Sequence, residues 1–226
     1  GAMYGNVHSI ESGRIAFVGC TFRENEGRVD GGAFYGKDVF GVTTFDECKF
    51  IKNSALESGG AVQAKEEGSF NPPQSYHFDA CYFESNRAKH GGSVRLSFTG
   101  EASGASFDST KFLRNHAFLD GGAIFSSYIP GTDRCNRYLN FTGNNSFVSN
   151  AANSSGGAVF IQINDPTKRT NGLTFIPECY RGRTFYSGNA ANVGNDLATS
   201  KYKLAFYAPD FPDRIALNKE IEGGLM

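Results

Sequence analysis

The chain has no tryptophan and only two methionines among its 226 residues. It has no excess of charge either, since 22 Lys and Arg stand against 23 Asp and Glu for a formal net charge of −1. That balance excludes the broad basic face that a phosphate-backbone binder needs, so no nucleic-acid partner is expected. It equally excludes an acidic solvating tail. No apolar run approaches the roughly 20 residues of a membrane span, so membrane insertion of these residues is not expected. No secretory signal opens the sequence. Gly1-Ala2-Met3 instead reads as the scar of a removed purification tag on a piece of a longer protein. There is no P-loop, no Cys-x-x-Cys and no legible Ser-His-Asp order. Catalytic and cofactor residues are therefore not assigned, and no cofactor is expected.

What the chain does have is glycine and phenylalanine, 28 and 21 residues respectively. They recur in a fixed pattern. Phe22 to Asn25, Phe50 to Asn53, Phe83 to Asn86, Phe112 to Asn115 and Phe147 to Asn150 each spell Phe-x-x-Asn, with Tyr186 to Asn189 as a variant. A glycine pair and a small-plus-apolar step follow the first five, at Gly31-Gly32, Gly59-Gly60, Gly91-Gly92, Gly121-Gly122 and Gly156-Gly157. The sixth copy decays to Gly194-Asn-Asp-Leu197. From the aromatic to the first glycine the offset is 9, 9, 8, 9, 9 and 8. A leading Phe stands five residues earlier in four copies (Phe17, Phe45, Phe78, Phe107) and six earlier in the fifth (Phe141). Between each glycine pair and the next leading Phe the gap varies: 14, 19, 16 and 20 residues.

A unit this short cannot bury its own apolar face, but stacked units can. Short β-branched and aromatic stretches bounded by Gly and Asn, with no sustained helical period, predict a parallel β-helix of about six coils over residues 4–200. Equivalent Phe residues would stack coil on coil, and the Asn amides would form a ladder. Asn also tolerates the left-handed backbone of a tight bend. The glycine pair has two explanations, positive φ at a corner and no room for a side chain. Cys20, Cys48 and Cys81 share one position and read as a reduced interior ladder, with a disulfide between neighbours as the alternative. Asp46, Asp79 and Asp108 each follow a leading Phe. They form either a solvated column or a weak calcium site, and no metal ligand is assigned to them. His90 and His116 flank corners and are expected to be solvated, while residues 201–226 read as a capping segment and tail.

Variable loops are predicted at residues 35–44, 63–77, 95–106, 125–140 and 160–182, emerging from one edge of the rod. They are the expected place for binding residues, with Tyr76, His77, Tyr128, Arg134, Lys168 and Arg169 as candidates. Cys135 and Cys179 both fall in such insertions and are expected to form a disulfide. Asn140, Asn144 and Asn153 begin Asn-x-Ser/Thr sequons, which suit a glycosylated, exported chain.

Phe-x-x-Asn alternating with Gly-Gly-Ala-(Ile/Val/Leu) resembles the repeat of the chlamydial polymorphic membrane proteins (Pmp), over about residues 15–200. The resemblance implies a right-handed parallel β-helix that serves as an autotransporter passenger, an adhesin carried to the outer membrane and cell surface by a C-terminal barrel. This sequence carries no barrel. Similar repeats occur in surface proteins of eukaryotic microbes, whose closing repeat Gly194-Asn-Asp-Leu-Ala-Thr-Ser200 resembles. The expected function is a non-enzymatic, extracellular adhesion or recognition module whose partner is a protein or glycan receptor. A polysaccharide-active β-helix enzyme and a passive spacer are the alternatives.

Overall fold

The computed structural model of the protein describes residues 3–6, 13–39, 41–67, 73–99, 103–128, 139–163 and 183–199. Every regular element among them is a strand, and the pairings are parallel. The chain winds through four sheets in turn, giving a β-solenoid. The first sheet holds β1 (Met3–Asn6), β5 (Phe34–Lys37), β9 (Val62–Lys65), β13 (Val94–Phe98), β17 (Ile124–Tyr128), β21 (Val159–Ile163) and β23 (Leu197–Thr199). In the second lie β2 (Gly13–Val18), β6 (Gly41–Asp46), β10 (Gln74–Asp79), β14 (Gly104–Asp108) and β18 (Leu139–Thr142). The third contains β3 (Thr21–Arg23), β7 (Lys49–Ile51), β11 (Tyr82–Glu84), β15 (Lys111–Leu113), β19 (Asn144–Val148) and β22 (Arg183–Ser187). The fourth is made of β4 (Glu26–Gly27), β8 (Ser54–Ala55), β12 (Arg87–His90), β16 (His116–Asp120) and β20 (Ala151–Ala152).

Register explains the repeat. The leading Phe residues pair in the second sheet and the motif Phe residues in the third. Phe50 and Phe83 stack at 4.6 Å between centroids, Phe83 and Phe112 at 4.9 Å, and Phe112 and Phe147 at 4.6 Å. The two columns meet edge to face, as Phe107 and Phe112 do at 5.5 Å. Each buried ring contributes about 1.5–3 kcal/mol, with roughly 0.5–1.5 kcal/mol more from ring pairing.

The Asn ladder is continuous. The Asn86 amide Nδ2 donates to Asn115 Oδ1 at 3.0 Å and to the Phe50 carbonyl at 3.0 Å. Its own Oδ1 accepts from both the backbone N and the Nδ2 of Asn53. The same geometry links Asn25 through to Asn189, whose Nδ2 ends the series on Asp196 Oδ1 at 3.0 Å. One expectation is corrected here. The left-handed residue is not the Asn but the one before it: Glu24, Lys52, Ser85, Arg114 and Ser149 all have φ between 52° and 55°. Turning there lets the Asn side chain point inward while its neighbour's points to solvent.

The two explanations for the glycine pair divide between its members. Gly91 carries the positive φ, 64°. A Cβ on Gly92 would strike the Gly122 carbonyl oxygen and the His116 backbone, because the neighbouring coil passes directly over it.

The loop boundaries are also corrected. Strands β9 and β10 run into the 63–77 window, and β5, β6, β13, β14, β17, β18 and β21 likewise trim the others. Each length-varying stretch of sequence begins after a strand of the first sheet, β5, β9, β13, β17 or β21.

Candidate recognition surface

Two outward-facing arrays carry chemistry. The first lies where the fourth sheet turns into the first. Asp30, Ser58, His90, Asp120 and Ser155 stand immediately before successive glycine pairs and are bridged coil to coil. Beside them, on the outward positions of the first sheet, Arg95 pairs in register with Phe125. The Arg95 guanidinium sits 4.0 Å over the Phe125 ring, a cation–π contact. The His90 ring meets the same Phe125 edge-on at 5.1 Å, with Nδ1 at 3.6 Å from Asp120 Oδ2.

These groups perturb one another. Burial lowers Arg95 to about 10, while Asp30 and Asp120 work in the opposite direction. Burial raises the Asp30 carboxyl, with Lys65, Ser58 and Arg95 opposing. Asp120 shows the reverse balance. Burial would raise it, but its interactions with His90 and Ser154 outweigh that and hold it below the ordinary value.

Around this charged corner the fourth sheet and its turns expose apolar side chains. Leu56 is 68% exposed and Phe118 53%, with Val29 and Leu119 also open to solvent. His116 packs edge-on against Phe118 at 5.0 Å, which holds the exposed ring in place. Lys89 pairs with Glu57 at 3.0 Å on the same face.

The second array is the aspartate column, confirmed by register: Asp46, Asp79 and Asp108 lie on adjacent strands. Burial, then the charges of Asp108 and Asp46, raise Asp79. Asp108 is also engaged, accepting from Ser109 and Thr142 hydroxyls at 2.8 Å each. Among the described residues, no three His, Cys, Asp or Glu side chains are arranged to hold a metal ion.

The sequence-predicted loop residues scatter. Tyr76 is wrong as a loop residue, since it lies on the inward face of β10 with no exposure. The second-sheet strand reaches further back than the leading Phe indicated. His77, next to it, faces outward and is half-buried, with Nδ1 2.7 Å from Ser106 Oγ. Burial, then Arg14, lowers its pKa. Tyr128 closes β17. Arg134, Lys168, Arg169, Cys135 and Cys179 lie outside the described residues, as does the 201–226 segment. Of the sequon asparagines, Asn144 and Asn153 are exposed, whereas Asn140 lies in β18 with a buried Oδ1.

Cys20, Cys48 and Cys81 are free thiols, as the reduced ladder requires. Cys81 Sγ donates to the Phe45 carbonyl at 3.3 Å, and Thr110 Oγ1 makes the equivalent bond to Phe78 at 3.1 Å. The hydrogen bond with Cys48, then burial, hold the Cys81 thiol above its ordinary value, while the same contact lowers the Cys48 thiol.

No family model, curated protein or solved structure matches the chain.

The sequence pattern places His90 in solvent, but in the structure it packs edge-on against Phe125 beside Asp120, and the His90–Asp120–Arg95–Phe125 corner is not marked by any motif. A signal was present. The residue directly before each glycine pair is Asp30, Ser58, His90, Asp120 or Ser155, polar in all five and fixed in phase with the repeat.

Proposed function

We propose that this chain is a non-enzymatic recognition module of the adhesin type, acting outside the cell and binding a protein or glycan. The observation that carries this reading is the fourth-sheet corner. Leu56, Phe118, Leu119 and Val29 stand exposed beside the half-buried His90, Asp120 and Arg95 group. Exposed apolar side chains rimmed by charge are the chemistry of an interaction surface. A rigid solenoid presents them at fixed spacing, so a partner meets a preorganised surface. The Pmp-like repeat and the exposed sequon residues Asn144 and Asn153 support an extracellular setting.

The test is a cell and glycan binding array with the whole chain, comparing the parent with Phe118→Ser and Leu56→Ser. Both side chains are exposed, so melting temperatures should hold while binding falls. Binding by both variants equal to that of the parent would overturn the assignment to this corner.

A further inference from the structure

Inside the coil, where the first sheet leads into the second, lies a polar group that the apolar core does not explain. Asp38 and Glu66 follow β5 and β9 at equivalent positions of adjacent coils, and both are buried. Asp38 Oδ1 accepts the Glu67 backbone N–H at 2.9 Å. Glu66 Oε2 accepts the Thr99 N–H at 2.9 Å, and its Oε1 accepts the Ser103 hydroxyl at 3.0 Å. Ser103 Oγ in turn accepts the Gln74 backbone N–H at 3.0 Å.

Three neutral side chains on the inward face of the second sheet complete the group. Tyr76 and Thr43 are register partners, and Gln74 precedes Tyr76 on the same face. All three are buried, yet Tyr76 Oη, Thr43 Oγ1 and both amide atoms of Gln74 meet no hydrogen-bond partner among the described residues. Tyr76 Oη ends above Gly36, where a Cβ would lie 2.5 Å away, two residues from Asp38.

An unpaired buried hydroxyl or amide costs on the order of 1–3 kcal/mol, and four such atoms together are a demand for a guest. The guest's chemistry follows from the donors. They are oxygens almost without exception, with two carboxylates one coil apart, which suits a hard cation rather than zinc or copper. Two negative charges match a divalent ion, and a mixed set of carboxylate, amide and hydroxyl oxygens suits the adaptable coordination of calcium better than the strict octahedron of magnesium.

We infer that Asp38, Glu66, Gln74, Tyr76 and Thr43 form an internal calcium site that ties the first two sheets together. This site is separate from the outward Asp46–Asp79–Asp108 column and independent of the recognition surface.

The experiment is calcium titration by calorimetry of the chelator-treated whole chain, with terbium luminescence as a second readout because Tyr76 would sensitise the bound ion. One stoichiometric site is expected, with calcium raising the melting temperature. Asp38→Asn should weaken uptake by more than about tenfold, Tyr76→Phe should remove most sensitised terbium emission, and Asp79→Asn should change neither. Absence of calcium uptake would overturn the inference and leave buried water as the guest. So would uptake that is abolished by Asp79→Asn, or that survives Asp38→Asn with its terbium emission intact in Tyr76→Phe. If Asp38→Asn does not fold, the Tyr76→Phe and Asp79→Asn pair decides.

Discussion

At the residue scale, the ladder asparagine does the work of several residues. Asn86 donates twice and accepts twice, so its four bonds reach the coils on both sides. Asn86→Ala removes them all at once and leaves buried partners unpaired. The expected loss is at least about 1–3 kcal/mol, read from denaturant melts. Asp79 predicts the opposite sign. Its folded pKa is raised, so the folded state carries a penalty at any pH above that value, and the penalty fades as pH falls through it. Asp79→Asn should therefore raise the melting temperature at neutral pH, and the difference from the parent should shrink in acid. His77 runs the other way again. Its folded pKa is lowered, so its contribution is full above the unfolded value near 6.5 and is lost as pH falls through the folded one.

Strand position decides the cost of a mutation at the element scale. Phe83 in β11 is stacked on both sides, by Phe50 and Phe112, and fully buried. Phe22 in β3 stacks on Phe50 and is only partly buried. Phe83→Ala should cost about 3–5 kcal/mol and Phe22→Ala distinctly less, measured by equilibrium unfolding. The same contrast explains what the sequence could reveal. The third-sheet column was legible because it repeats one residue type, Phe, and the ladder because it repeats Asn. The inward column through β10 was not. It runs Ile15, Thr43, Tyr76, Ala105 and Leu139, with no shared type, so Tyr76 looked like loop. Left-handed bends at Glu24, Lys52, Ser85, Arg114 and Ser149 were equally silent, because their side chains face water and any polar residue serves. Of the recognition corner, only its phase against the glycine pairs was written in the sequence. The packing of Arg95 and His90 on Phe125 depends on which residues happen to share a coil.

For the whole molecule, equivalence between coils is a testable property. Phe78 and Phe107 occupy the same position on successive strands. Excising residues 79–107 would join Phe78 to Asp108, its normal successor in the pattern. The shortened chain should fold with an unchanged β-type circular dichroism spectrum and a lower melting temperature, because each coil touches only its neighbours. A chain that failed to fold would mean that the coils are less interchangeable than their register. The asparagine ladder adds a property that no single coil has. Every link from amide to amide runs from Nδ2 of one coil to Oδ1 of the next, in the same direction from Asn25 to Asn189. Aligned amides sum as peptide units do in a helix, so the stack is a macrodipole with its positive pole at the Asn189 end. The Asp196 carboxylate receives the last donor there. It plays the part that a capping aspartate plays at a helix N-terminus, set here at the end of a column of side chains.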